Sequence, residues 1–263
     1  MKFATLQITK IKTIRLMKNL IAFFIFSILM ASCKNEPKKE IQPEKYPSEL
    51  KKVFDAHGGI PAWRNVQTLS FNKGEEIHTV DLHSRKTVIN TPKYSLGFDG
   101  EDVWLDEVEK GIYKGNPTFY YNLYFYFYAM PFVLADDGII YEKVDDLVFE
   151  GINYPGYKIS FKANVGTSSD DNYKVYYNSE TYQMEWLAYT VTFNSKKPSD
   201  SYHIINYNKW ENVNGLLLPK AITWYKQDSI GAPTEPRGIA TEFTLPLVSN
   251  TKISDSFFDK PVK

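Results

Sequence analysis

The chain has 263 residues, with 31 Lys and Arg against 31 Asp and Glu, and a single cysteine. The first 32 residues carry five of the basic residues and none of the acidic ones, which leaves 26 basic against 31 acidic residues and a net charge of about −5 in the remainder. No basic patch stands out, which argues against a nucleic-acid partner, and one cysteine excludes an intramolecular disulfide framework.

The N-terminus has the layout of a secretory signal peptide. Basic residues precede an apolar run at 20–30, which is too short to span a bilayer as a helix. Small residues then lead to Cys33, an arrangement that resembles a bacterial lipobox, in which the cysteine is cut free and acylated. We therefore predict a lipoprotein signal peptide over 1–32, with Met17 as an alternative start, and a membrane anchor on Cys33. Lys34 rather than Asp follows, which by resemblance to bacterial lipoproteins predicts the outer membrane, at its periplasmic face or the cell surface.

A tether and a single domain are predicted to follow. Residues 33–47 are polar and contain proline, so they can hold a domain away from the membrane. Residues 48–263 have the length of one large β-rich domain. At its start, Ser48 is predicted to cap a helix whose apolar face extends to His57. Gly58 is placed to end that helix in a left-handed conformation.

Short segments of alternating apolar and polar residues begin at Thr68 and continue towards the C-terminus. Alternation with a period of two, with turn residues about every ten positions, is typical of antiparallel strands. The pattern predicts an α+β, mainly β fold built on a large antiparallel sheet that is curled or closed. Within it, residues 98–104 are predicted to form a hairpin whose second strand carries Trp104.

Residues 116–138, which we call the aromatic segment, form the most unusual stretch of the chain. Nearly every residue over 119–135 is apolar or aromatic, so the segment must be buried. It falls short of the ~20 apolar residues that a transmembrane helix needs, which favours burial in protein. Tyr and Phe favour strands, but Asn116 and Pro117 are typical of a first helical turn. We predict a helix that ends or kinks at Pro131.

The aromatic segment has two possible uses inside a curled sheet. It can be a permanent plug of the core, or the wall or lid of a cavity that holds an apolar ligand. Ring faces and a methionine sulfur suit flexible acyl chains, and the segment has more of them than one helix face needs for packing. The residues predicted to bind the ligand are Tyr124, Phe127, Tyr128, Met130, Phe132 and, from the hairpin, Trp104.

No residue pattern predicts catalysis or a metal site. The four histidines lack metal-ligand spacing, and His57 is explained by the last turn of a helix. The paired aspartates lie at predicted turns, where Asp stabilises the bend, and no Gly-x-Ser-x-Gly elbow occurs. We therefore predict no catalytic residue, no metal, no cofactor, and a protein that is not an enzyme.

Several short motifs stand in the order and spacing of a known family. They are Ala56-His57-Gly58-Gly59 with Trp63, Phe98-Asp99-Gly100 before Trp104, the hairpin from Trp210 to Pro219, and the closing stretch from Ile253 to Phe258. In these features, over most of residues 48–258, the chain resembles the LolA/LolB-like outer-membrane lipoprotein carriers, and it is most similar to an uncharacterised group of bacterial lipoproteins. The resemblance implies a half-open antiparallel barrel covered by helices, with a cavity for acyl chains. It implies no individual site residue, because no position here matches the polar cavity residues of the carriers, and the soluble carrier has no counterpart of Cys33.

Three functions are compatible with these predictions. The first is a membrane-anchored lipoprotein that binds a lipid or other apolar molecule without chemistry. The second is a scaffolding or protein-binding envelope lipoprotein with a filled core, although nothing in the sequence identifies a protein partner. The third is an enzyme acting on glycans or lipids. A deep apolar cavity would favour the first function, a filled core with an exposed aromatic patch the second, and converging groups with shifted pKa values in a cleft the third.

Overall fold

A computed structural model describes residues 45–161, 171–195 and 197–262 of the chain. All of them belong to one compact unit, Glu44–Lys263. The predicted signal peptide, Cys33 and most of the predicted tether lie outside the described residues. Within the described ranges, no helix is long and apolar enough to cross a membrane.

The chain forms two sets of antiparallel strands. Those of the first set are β1 (Thr68–Lys73), β2 (Glu76–Asp81), β3 (Thr87–Asn90), β4 (Tyr94–Phe98), β5 (Val103–Glu107) and β14 (Thr244–Ser249). Those of the second set are β6 (Ile139–Phe149), β7 (Ile152–Phe161), β8 (Tyr173–Tyr177), β9 (Met184–Tyr189), β10 (His203–Val213), β11 (Leu216–Gln227), β12 (Pro233–Pro236) and β13 (Thr241–Glu242).

Sheet 1 has the order β14-β1-β2-β3-β4-β5, and sheet 2 has the order β12-β11-β10-β9-β8-β7-β6, with β13 pairing with β11. Most neighbours are consecutive in the chain, as expected for hairpins, and the exceptions are β13, which pairs with β11, and β14, which returns to pair with β1. Thr68 lies opposite Ser249 in that pair. The mainly β, curled half-barrel with few helices that we predicted is confirmed.

Helix α1 (Ser48–Ala56) packs its apolar face, formed by Leu50, Val53 and Phe54, into the core. Ser48 does not cap it, contrary to the prediction. Pro47 occupies the cap position, and the Ser48 hydroxyl instead donates a hydrogen bond to Glu49, the next residue. The helix begins one residue earlier than expected because Pro47 already supplies the extended conformation that precedes a first turn.

The predicted end of α1 is confirmed. Gly58 has a φ of 110°, in the left-handed region. Its amide donates to the Asp55 carbonyl at 3.1 Å, and the Gly59 amide donates to the Phe54 carbonyl at 2.8 Å. This pair of bonds is a Schellman motif. A short helix, α2 (Ile60–Asn65), follows directly and buries Trp63.

The aromatic segment is helical, as predicted, but it is divided into short pieces. These are α3 (Pro117–Tyr120), α4 (Leu123–Tyr128) and a 3₁₀ turn (Phe132–Ala135). The Asn116 side chain accepts hydrogen bonds from the Thr118 and Phe119 amides, which confirms it as the N-cap of α3. Helix α4 ends before Pro131, which lacks an amide hydrogen and follows a cis peptide bond.

The cap at Asn116 gives a first prediction for stability. Replacing Asn116 with Ala removes the acceptor for two amides and is expected to lower the free energy of unfolding by about 1 kcal/mol. Urea unfolding would measure this change. Asn116→Asp keeps a side-chain acceptor and should retain most of the stability. An equal loss in both variants would contradict the assignment of the cap.

The aromatic segment contacts both sheets. On one side, the Tyr128 ring stacks on Phe71 of β1, with ring centroids 4.1 Å apart. On the other side, the Tyr207 hydroxyl of β10 donates a hydrogen bond to the Phe127 carbonyl at 3.0 Å. Phe127 and Tyr128 follow each other in a helix, so their side chains point in directions about 100° apart and reach different sheets.

Candidate functional site

An apolar cavity of about 320 Å³ lies between the aromatic segment and sheet 2. Most of its wall is aromatic or aliphatic. The aromatic segment contributes Phe127 and Met130, strands β7 to β9 contribute Phe161, Tyr173 and Tyr189, and the chain after β9 contributes Val191.

Hydrogen bonds and ring contacts hold the wall of the apolar cavity in place. The Trp224 indole donates to the Tyr189 hydroxyl at 2.9 Å. Phe127 meets the Tyr189 ring edge-on at 5.2 Å and the Trp224 ring at 5.8 Å. At the other end of the segment, the Tyr141 hydroxyl donates to the Leu134 carbonyl at 2.7 Å. The hydrogen bond to its hydroxyl lets Tyr189 present an apolar ring to the cavity.

One end of the apolar cavity is charged. Arg85 Nη2 donates to both carboxylate oxygens of Asp136, at 2.9 and 2.7 Å. The Arg85 guanidinium also lies 5.1 Å from the centre of the Phe125 ring. Burial raises the pKa of the Asp136 carboxyl, and the positive charge of Arg85 opposes that rise. The ion pair therefore forms a polar boundary on a space lined mostly by apolar side chains.

Arg85 reaches this position from a strained turn between β2 and β3. Its φ is 63°, in a region that residues other than glycine adopt at a cost of about 1–2 kcal/mol. The Asp81 carboxylate stabilises the turn, since it accepts hydrogen bonds from the His83 amide at 3.0 Å and from the Ser84 amide at 2.8 Å.

A second cavity, of about 420 Å³, adjoins the first. We call it the polar cavity. Arg85, Asp136 and Asp137 line both cavities, so the Arg85–Asp136 ion pair lies at their junction. Arg64 and Lys45 also line the polar cavity.

The structure brings together only some of the residues predicted to bind a ligand. Phe127 and Met130 line the apolar cavity. Phe132 lines the polar cavity, where its ring stacks on Trp63 at 4.7 Å. Tyr128 is fully buried against sheet 1. Their role in binding stays a prediction.

Tyr124 and Trp104 line neither cavity. The Tyr124 ring lies 4.2 Å from the Lys73 ammonium. Trp104 belongs to a separate hydrophobic cluster, where its indole donates to the Phe258 carbonyl at 2.8 Å. The predicted position of Trp104 on the second strand of a hairpin is confirmed, because β4 and β5 pair there.

Sequence reasoning missed several residues of the cavity walls. Tyr173 and Tyr189 lie directly opposite each other in the β8–β9 pair, and strand alternation could have placed them on the inner face. Arg85 and Asp136 lie 51 residues apart, and no local pattern links them.

A partly buried carboxylate, that of Glu76, lies on the far side of the aromatic segment, at the start of β2. Glu76 accepts hydrogen bonds from Lys73 and His78, each at 3.0 Å, from the Tyr120 hydroxyl at 2.9 Å and from the Tyr94 hydroxyl at 3.1 Å. Burial opposes ionisation of Glu76, but the His78 hydrogen bond and the Lys73 charge outweigh it and lower the pKa of the carboxyl to about 2. These contacts tie α3 to sheet 1.

Two histidines are fully buried. The His57 Nδ1 lies 2.8 Å from the Val53 carbonyl, to which it donates, and its ring packs edge-on against Trp210 at 4.5 Å. Burial lowers the pKa of His57 to about 4, although the Val53 hydrogen bond acts in the opposite direction. Burial also lowers the pKa of His78, against the effect of Glu76. Neither histidine lines a cavity. In the described part of the chain, no three His, Cys, Asp or Glu side chains are grouped to hold a metal ion.

Comparison with known proteins relates the chain to one family and to two solved structures. The family model DUF6503, described as a family of unknown function, matches residues 82–227, more than half of the chain. The chain is similar to a DUF1329 family protein from Desulfovibrio piger, with 9% identity over 81% of this chain and 98% of that chain and a TM-score of 0.42. It is also similar to a LolA superfamily protein from Nitrosomonas europaea, with 7% identity over 79% of this chain and 96% of that chain and a TM-score of 0.37. The similarity to these two structures concerns the fold alone. No curated protein matches the sequence.

Proposed function

The chain belongs to the DUF6503 family, a family of unknown function, and we propose that it binds a lipid or another apolar ligand in the apolar cavity, without catalysing a reaction. The observation that carries the proposal is the cavity of about 320 Å³ beside the aromatic segment. Its volume is at the lower end of the range for small-ligand pockets, and its wall of rings and aliphatic side chains has the usual composition of such pockets.

The chemistry of the wall suits a hydrocarbon chain. Each methylene group that leaves water for an apolar site contributes about 0.8 kcal/mol, before the entropic costs of binding. Aromatic faces and the flexible Met130 thioether adapt to a chain that has many conformations. An acyl chain is therefore the ligand that we favour.

The proposal includes an anchor for this protein. Lipidation of Cys33 would attach it to the outer membrane, at the periplasmic face or the cell surface, and residues 34–47 would act as the tether. Several acyl chains on one cysteine would hold the protein firmly, because a single chain gives only reversible binding. A protein held at a membrane would meet lipids at high local concentration, which fits a lipid-binding cavity.

Two alternatives have less support. A scaffold with a filled core would not need a cavity beside its most aromatic segment. An enzyme would need groups with shifted pKa values converging in a cleft. Glu76 and His78 do converge and have shifted pKa values, but they line neither cavity.

A pair of matched substitutions tests the proposed function. Val191 and Val148 are both exposed valines, at 38% and 52%, but only Val191 lines the apolar cavity. Val191→Trp should fill part of the cavity and reduce uptake of dodecanoate at least tenfold, while Val148→Trp should bind as the unchanged protein does. Native mass spectrometry and isothermal titration would measure uptake by the chain from residue 34 onwards, which contains the whole compact unit from Glu44 to Lys263.

The purified protein should also carry a lipid when it is prepared from its host's envelope without detergent. Solvent extraction followed by mass spectrometry would identify that lipid. A protein that carries no lipid and takes up none on incubation would contradict the proposed function. If Val191→Trp and Val148→Trp both fold and bind dodecanoate equally well, the apolar cavity is not the binding site.

A further inference from the structure

The polar cavity contains more positive than negative side chains. Lys45, Arg64 and Arg85 line it together with Asp136 and Asp137. Two of the three cations are paired with the two carboxylates. Lys45 Nζ lies 2.5 Å from Asp137, and Arg85 Nη2 lies 2.7 Å from Asp136.

The third cation, Arg64, belongs to neither of these ion pairs. In the described part of the chain it forms no ion pair, and its Nη2 donates only to neutral acceptors, the Tyr46 hydroxyl at 3.2 Å and the Ala135 carbonyl at 3.4 Å. A guanidinium has five N–H donors in a planar fork that matches a carboxylate or a phosphate. Arg64 is exposed at the edge of the cavity, so an anion can reach it from water.

Arg85 offers a second donor at the junction of the two cavities. Both of its hydrogen bonds to Asp136 come from Nη2. Its Nη1 is buried and has no hydrogen-bond partner. A buried donor without a partner destabilises the folded protein, and an acceptor supplied by a ligand would remove that destabilisation.

The arrangement of the two cavities matches a molecule with two unlike ends. The apolar cavity is lined mainly by rings and aliphatic side chains, whereas the adjoining polar cavity has Arg64 at its exposed edge and Arg85 at the junction. Resting on the proposed function, we propose that the ligand is an amphiphile with an anionic headgroup, which Arg64 and Arg85 bind while its hydrocarbon chain lies in the apolar cavity. A carboxylate and a phosphate have the same recognition chemistry here.

The charge balance opposes the other headgroups. A cationic headgroup would be placed beside two guanidinium groups, and the nearby carboxylates already have basic partners. A neutral hydroxyl could accept one hydrogen bond, but it would bring no negative charge to Arg64, whose guanidinium donates only to neutral acceptors. An anion gains a charge-assisted hydrogen bond, which is about twice as strong as a neutral one.

A series of twelve-carbon ligands tests the headgroup below the concentration at which any of them forms micelles. Dodecanoate, dodecyl phosphate, dodecanol and dodecylamine share one chain and differ in the headgroup. We expect both anions to bind the chain from residue 34 onwards at least tenfold more tightly than the alcohol or the amine at pH 7 and low ionic strength, as measured by isothermal titration. The stronger of the two anions would distinguish a carboxylate from a phosphate source.

Substitutions of Arg64 make the test specific. Arg64→Gln should remove most of the preference for anions and weaken the binding of dodecanol much less than that of the anions, whereas Arg64→Lys keeps the charge and should retain part of the preference. Lys209→Gln, which neutralises an exposed residue of β10 away from both cavities, should change neither affinity.

The outcomes separate this proposal from the proposed function. If dodecanol binds as tightly as the anions and Val191→Trp weakens both, the apolar ligand stands and the anionic headgroup is wrong. If none of the four ligands binds, both proposals fail. The comparison of ligands on the unchanged protein decides the headgroup even if Arg64→Gln fails to fold.

Discussion

Replacing Glu76 with Gln is expected to lower the free energy of unfolding at pH 7 by on the order of 3 kcal/mol. The carboxylate accepts hydrogen bonds from four side chains, those of Lys73, His78, Tyr94 and Tyr120. An amide has one acceptor oxygen and places N–H groups against donors, so buried donors lose their partners. Glu75→Gln changes an exposed neighbour and should stay within about 0.5 kcal/mol of the unchanged protein.

The same substitution should have an effect that depends on pH. The pKa of Glu76 is about 2 in the folded chain, below its ordinary value of 4.5. A depressed carboxyl pKa stabilises the folded state above the unfolded pKa, and this stabilisation is lost as the pH falls through the folded pKa. The part of the difference between the unchanged protein and Glu76→Gln that comes from the Glu76 charge should therefore be constant above pH 5 and shrink between pH 4.5 and 2.

Urea unfolding at a series of pH values would measure this difference. His57 makes stability fall in another window, because its pKa is about 4 when folded against 6.5 when unfolded, so the unfolded chain takes up the proton first as the pH drops. That loss occurs in both proteins and cancels in the difference. A difference that stays constant down to pH 3 would show that the charge of Glu76 does not carry the effect.

The elements of the fold were predictable where one local pattern determines them. Gly58 and Asn116 are short-range signals, and both act at helix ends as predicted. The pairing of β14 with β1 was not predictable, since Thr68 and Ser249 are far apart in the chain and nothing local links them. The prediction that Ser48 is the N-cap of α1 was wrong, because Pro47 occupies that position.

The candidate site was predictable only in part, for a geometric reason. The aromatic segment is apolar on all sides, so its pattern indicates burial but not which side meets a cavity. Phe127 and Tyr128 are equally aromatic, yet one lines the apolar cavity and the other packs in the core. The Arg85–Asp136 ion pair at the end of the apolar cavity could not be predicted, because Arg85 lies in a turn of sheet 1 and Asp136 at the end of the aromatic segment.

The second large effect concerns the contact between α1 and the turn that joins β10 to β11. Gly58→Ala is expected to lower the free energy of unfolding by about 1–3 kcal/mol more than Gly59→Ala, which carries only the cost of its backbone conformation. Both glycines have a positive φ, 110° and 86°, so both substitutions carry the cost of a backbone conformation that other residues rarely adopt. Only at Gly58 would the added methyl group also collide with backbone, namely the Gly215 carbonyl oxygen, and lie 3.1 Å from the Leu216 Cα.

The neighbours of Gly58 cannot move away easily. The Leu217 amide donates to the His57 carbonyl at 2.8 Å, so the turn is hydrogen-bonded to the end of α1. At Gly59 the nearest atom to an added methyl group is 3.7 Å away, which is ordinary contact. Urea unfolding of the two variants measures the difference directly. Similar losses of stability in both variants would mean that the backbone conformation alone explains the need for glycine at the two positions. A much larger loss for Gly58→Ala would show that the end of α1 depends on its close contact with sheet 2.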